Sequence, residues 1–219
     1  MPMQRALPIQ LHTHTDHLSF ELSFAGIPVI VDPGTYVYTS DSVARNEFRR
    51  TRKHNTVVFN ETDQYEIPLD DLFSMKHYSY LNTTELIAEE KGISGVCGFS
   101  LPNKGNLIHK RRIAFNTDKR NLGIHDSFSF DGDQYLQWIF HLASGRKVEL
   151  QDEKVYINVS PDQTLLFEFE YTGKLKFDIL DDYVSPSYGR LLSSKTNCLS
   201  TSSSSDFTMS TFITPLNRI

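Results

Sequence analysis

At 219 residues the chain is long enough to bury a sizeable core, and it suits one large β domain or two small ones. Hydrophobic content of 39% and aromatic content of 12% exclude an intrinsically disordered chain. Twenty-two basic against 27 acidic residues, net −5, speak against a nucleic-acid binder. No run of about 18 apolar residues offers a membrane span.

In chain order, Met1–Gln10 lacks the apolar region of a signal peptide. Chemistry-bearing residues begin at His12, which predicts that more sequence belongs upstream. His12-Thr-His14-Thr-Asp16-His17 packs three histidines and one carboxylate into six residues. In an extended strand His12, His14 and Asp16 share one face. Leu18, Phe20, Leu22 and Phe24 alternate with polar residues, predicting a half-buried strand. Ala25-Gly26 is its turn and Ile27–Val31 the return strand. A short helix is expected near Ser42–Arg52, capped by Asp41 or Ser42.

Further strands are expected over Thr56–Phe59, Leu107–Phe115, Tyr135–Leu142, Val155–Val159, Leu165–Tyr171 and Leu175–Leu180. Turn residues punctuate them at Asn116-Thr-Asp118, Asp131-Gly-Asp133, Ser160-Pro-Asp162 and Thr172-Gly173. The Ser-rich stretch Leu199–Ser205 reads as an exposed loop. Cys97 and Cys198 form no CxxC motif, which argues against a disulfide framework and leaves one long-range bridge open. The pattern predicts one all-β domain over 1–219, an antiparallel β-sandwich with at most one or two short helices.

Imidazole and carboxylate donors at this density suit Zn2+ or another first-row divalent ion. The string His-x-His-x-Asp-His also matches the metal motif of the metallo-β-lactamase superfamily. That fold needs strands ahead of the motif and a glycine-rich loop and helix after it. Here 11 residues precede the motif, and an alternating strand pattern follows.

The blocks that follow resemble another family. His12-Thr-His14-Thr-Asp16-His-Leu-Ser-Phe-Glu-Leu, Gly26-Ile-Pro-Val-Ile-Val-Asp32-Pro-Gly-Thr-Tyr36-Val-Tyr38, Arg45-Asn-Glu-Phe-Arg49, Thr51-Arg-Lys-His54-Asn55-Thr56-Val57 and Asp63-Gln64 occur in order. Together with Ser187-Tyr188-Gly189 they resemble the C-terminal domain of the heparinase II/III family of polysaccharide lyases. The resemblance implies an N-terminal α/α toroid ahead of an antiparallel sandwich, and β-elimination on uronic-acid polysaccharides. It implies one mainly structural zinc on His14, Asp32 and His54, with His12 facing the substrate. The family's catalytic Tyr and its carboxylate-neutralising Asn or His lie in the toroid, so the isolated chain is expected to be inactive alone.

Alternatives for individual residues stay open here. Against the ligand reading, the bland alternative for Asp32 is a turn cap before Pro33-Gly34, and for His54 a surface histidine after a basic run. Arg45, Arg49, Arg50, Arg52 and Lys53 are either a solvated face or an anionic-sugar subsite, because Arg grips carboxylate bidentately. Tyr36 and Tyr38, two apart, are expected to share a face, stacking on sugar or packing on the core. Other functions compatible with the pattern are a non-catalytic carbohydrate-binding sandwich that keeps a zinc, and a metal-dependent hydrolase.

Overall fold

The structure, a computed structural model, describes residues 14–68, 71–77, 80–89, 92–101 and 106–217. It opens with a hairpin of β1 (Leu22–Phe24) and β2 (Ile27–Ile30). Helix α1 (Ser42–Arg49) and a 3-10 turn (Thr51–Lys53) lead into β3 (Val57–Phe59). A small ribbon pairs β4 (Tyr65–Glu66) with β5 (Lys76–His77). Next come β6 (Tyr80–Glu89), β7 (Gly92–Leu101), β8 (Leu107–Asn116), β9 (Asn121–Ser129) and β10 (Gln134–His141). The chain closes with β11 (Lys147–Gln151), β12 (Lys154–Ser160), β13 (Gln163–Tyr171), β14 (Lys176–Ser187), β15 (Arg190–Ser203) and β16 (Phe207–Asn217).

Eight strands form one antiparallel sheet in the order β11-β12-β13-β16-β9-β8-β7-β6, and four form a second, β14-β15-β10-β3. A single large core cluster draws on both, with Ile124, Phe128 and Phe167 from the first and Val57, Trp138 and Leu199 from the second. This is the expected all-β antiparallel sandwich. Period-two burial places the core: Val155, Ile157 and Val159 of β12 point inward while their neighbours are half-exposed.

The inward positions of β8 are Leu107, His109 and Arg111, and Asp126 of β9 lies directly opposite Arg111. Asp126 accepts from Arg111 Nε (2.7 Å) and Nη2 (3.0 Å), from His109 Nε2 (2.7 Å) and, across the sandwich, from Trp138 Nε1 (3.1 Å). Burial alone would raise this carboxyl. The Arg111 guanidinium and then His109 outweigh it and hold Asp126 well below the usual carboxylate range.

Three expectations are corrected. Leu18–Phe24 is not one strand: only Leu22–Phe24 is, and Leu18 sits in a turn at φ +63. The carbonyls of Leu18 and Phe20 are taken by side chains, Arg111 and Asn55, instead of a neighbouring strand. The four apolar residues still pack on the core. The segment from His14 to Asp16 is likewise not a strand and bends at Thr15, although His14 and Asp16 both line one cleft. Most of the Ser-rich stretch is strand: residues 199–203 belong to β15, which pairs with both β10 and β14, and only Ser204 and Ser205 lie in the exposed connection to β16. A strand paired on both sides buries small hydroxyl residues, here Ser200 and Thr201. Cys198 of this strand is a free, buried thiol, and burial pushes it up to about 11.

Candidate metal centre

Helix α1 starts at Asp41, whose Oδ1 accepts from the Ala44 amide at 2.9 Å, a cap worth about 1 kcal/mol. Its C-terminal carbonyl, on Arg49, accepts both the amide (3.0 Å) and the hydroxyl (2.8 Å) of buried Thr15. This fixes the segment carrying His14 against the helix. Asp63 accepts from the Thr51 amide (2.8 Å) and Arg50 Nε (3.1 Å), which anchors the 3-10 turn ahead of His54.

Asp32 caps the turn and also contacts His54. Its Oδ1 accepts from the Gly34 amide at 2.8 Å, and its Oδ2 meets His54 Nδ1 at 2.7 Å. Gly34 stands at φ +83, and a Cβ there would lie 2.2 Å from the carbonyl oxygen of Ser185. The Asp32-Pro-Gly turn therefore needs glycine to dock on β14. Ser185 in turn donates its amide to the Pro33 carbonyl at 2.6 Å.

His14, Asp32 and His54 each offer a donor atom, and these atoms lie within 4.8 Å of one another. His14 Nε2 is 3.1 Å from Arg45 Nη1. Guanidinium only donates, so this nitrogen is an acceptor. Burial, then the electrostatic influence of neighbouring His54 and of the Arg45 guanidinium, push His14 down to about 4 and keep it neutral. His54 is fully buried, and its Nε2 has no hydrogen-bond partner. Two neutral-capable imidazoles, one carboxylate and an orphaned buried ring nitrogen fit a zinc-type cation.

An open cleft of 710 Å³ is lined by His14 and Asp32 together with Asp16, Ser19, Tyr38 and Arg45 among others, with His54 buried outside its lining. The remaining candidates divide. Arg45 is fully buried at the floor of this cleft and sits beneath the Tyr38 ring, 5.4 Å from its centroid. Arg49 faces elsewhere: it donates to Asn46 Oδ1 (2.9 Å) and to the carbonyls of Asp71 (3.2 Å) and Ser74. Arg50 and Arg52 follow the solvated-face reading, paired with Asp63 and Glu47, whereas Lys53 is largely buried and pairs with Asp182. Tyr36, at φ +62, turns its ring onto Phe48 of α1, so it does not share a face with Tyr38. His17 is engaged by Tyr65 and Gln64. His12 lies outside the described residues.

Asn55 joins the donor segments. Its amide donates to Ser19 Oγ (3.0 Å), and its Nδ2 donates to the carbonyls of Phe20 and Val31 (2.9 Å each). Its Oδ1 accepts from the His141 amide (2.7 Å) and its carbonyl from Arg111 Nη1 (2.9 Å). The residue is adjacent to His54, and Val31 is adjacent to Asp32. Nothing in residue spacing announces this role. The one hint is an amide side chain amid an apolar β-branched run, where an unpaired polar group is costly.

Residues 4–211 match the family described as Heparinase II/III-like, C-terminal, and the chain belongs to that family. No curated protein sequence gives a significant match. Among solved structures, a heparinase III gene product with methylated lysines shares the fold at TM-score 0.75 and 17% identity, over 94% of this chain and 31% of that one. Heparan sulfate lyase from Pedobacter heparinus matches at TM-score 0.74 and 19% identity, over the same shares. This chain thus spans about a third of the length of these neighbours.

Proposed function

We propose that this domain is the metal-bearing wall of a polysaccharide lyase cleft that cleaves uronic-acid glycans by β-elimination. The observation that carries the reading is the convergence of His14, Asp32 and His54 on one another, with His14 and Asp32 lining an open cleft, in a chain of this family. These three residues would hold one zinc. Bound there, the ion supplies positive charge and cross-links the segments carrying the three residues.

Elimination needs three acts: neutralising the uronate carboxylate, removing the C5 proton, and protonating the leaving O4. His12, two positions before His14, faces substrate in this reading and serves the first or second act. Arg45 holds positive charge under the cleft floor, and its guanidinium gives up the His14 Nε2 contact when that nitrogen takes the ion. The opposite wall, with the remaining catalytic groups, belongs to a helical toroid. Without it water fills the cleft and screens its charges, and the isolated chain is inactive.

Metal analysis of chelator-free protein tests the centre, with about one equivalent of zinc expected. His14→Ala should lose that zinc and lower Tm; stoichiometric zinc in this variant would overturn the assignment. In a full-length parent, His12→Ala should abolish formation of the ultraviolet-absorbing unsaturated product while zinc content stays intact.

A further inference from the structure

Beyond the donors, the cleft has an aromatic rim. Tyr38 and Tyr188 stack at 5.9 Å between centroids and 14° between planes. They are 41% and 62% exposed, unusual for large rings that touch each other. The buried Arg45 guanidinium also lies over the Tyr38 ring, 5.4 Å from its centroid. Ser40 Oγ lies 3.4 Å from the Tyr188 hydroxyl and adds a polar edge.

The stack is held in place. Tyr188 sits at the tip of the hairpin between β14 and β15. That tip is pinned to the loop bearing Asp32: Gly189 donates its amide to the Tyr36 carbonyl at 2.7 Å, and Ser185 donates to Pro33 at 2.6 Å. Two positions beyond Tyr188, Arg190 is exposed and has no ion pair among the described residues.

We infer that Tyr188 and Arg190 form a glycan-binding subsite on the cleft rim, which takes one acidic pyranose unit of the polymer. A pyranose ring has an apolar C–H face that packs on an aromatic ring, and the tyrosine hydroxyl keeps that surface wetted. The guanidinium supplies a bidentate partner for a carboxylate or sulfate on the same sugar. Tyr38 lines the cleft and Tyr188 stacks on it from outside that lining, so the subsite takes a unit at the edge of the cleft. The subsite grips the chain and sets its register. This inference rests on the proposed glycan substrate.

The test is calorimetric titration of the 219-residue chain with a heparan sulfate oligosaccharide. Tyr188→Ala should weaken binding about 3- to 10-fold, the scale of one aromatic contact. Tyr188→Phe, which keeps the ring, should bind like wild type. Arg190→Ala should weaken binding and flatten its salt dependence. Zinc content and Tm should be unchanged in all three, because both side chains are exposed. If wild type binds and Tyr188→Ala binds equally well, the subsite is wrong while the glycan reading stands. If wild type binds no acidic oligosaccharide at all, the glycan reading of this domain falls and the subsite falls with it.

Discussion

Arg111 donates from Nη1 to the carbonyl of Asn55 at 2.9 Å while its Nε and Nη2 clamp Asp126. One buried guanidinium thus joins the centre of the large sheet to the residue beside His54. Its Nη1 also holds the Leu18 carbonyl at 2.7 Å, which ties down the turn that follows the His14 segment. The donor centre is therefore braced from beneath by a charged pair in the core.

Removing one member of such a pair strands the other charge in a dry interior, at a cost of about 3–5 kcal/mol. Asp126→Ala should lose stability on that scale in urea unfolding. A loss below about 1 kcal/mol would show that the pair is dispensable, contrary to its full burial. Replacing both residues with apolar ones should recover part of the loss, which a double-mutant cycle would measure.

Asn55 should act on metal affinity more than its size suggests. Asn55→Ala frees the carbonyls of Phe20 and Val31 and removes the acceptor for the His141 amide. The expected weakening of zinc binding is about 10- to 100-fold, the range for groups that orient ligands. Competition with a chelator, well below Tm, gives the number. Zinc affinity equal to wild type would mean that the three donors are placed without Asn55.

Gly34→Ala combines a left-handed backbone with a 2.2 Å contact to the Ser185 carbonyl. Together these predict about 2–4 kcal/mol of lost stability. Gly132→Ala is the matched control: it has φ +72, and nothing lies within 4 Å of the added Cβ. If both variants lose the same amount, the docking of the Asp32 turn on β14 contributes nothing.

The sequence made the fold class legible because period-two burial is a local property of each strand. Val155, Ile157 and Val159 carry it without reference to their partners. The donors His14, Asp32 and His54 were legible as a resemblance spread over three blocks, and the geometry brings them together. What stayed hidden depends on tertiary partners. Arg49 looks like a surface arginine until the carbonyls of Asp71 and Ser74 are seen to need its donors. Asp126 and Arg111 fall on inward positions of β8 and β9, a signal available in principle. It is read only once the inward phase of both strands is known. The Ser-rich end of β15 was misread because serine's turn preference is local, whereas pairing on both sides is not.

Stability should fall on the acid side, measured on metal-free protein so that ligand protonation at a loaded centre plays no part. His141 is almost fully buried, and burial lowers its pKa below the usual 6.5, with Asp182 opposing only in part. The unfolded chain therefore takes up a proton on this residue first. Its contribution is complete above about pH 6.5 and is lost as pH falls toward the lower folded value. Asp126 and Asp182 act lower down. Burial would raise both, but Arg111 and His109 in one case, and His141 and Lys53 in the other, hold them well below the normal range. A depressed carboxylate stabilises fully above its unfolded pKa of about 3.9, and that gain disappears as pH drops through the folded value. Tm should therefore be flat above about pH 7, slope gently downward from about 6.5, and drop steeply below about 4. His141→Gln should make the gentle limb shallower without abolishing it, because burial also holds His14 and His109 below 6.5, and it should leave the steep limb. A wild-type Tm that stays constant from neutrality down to the steep limb would contradict the buried neutral state of His141.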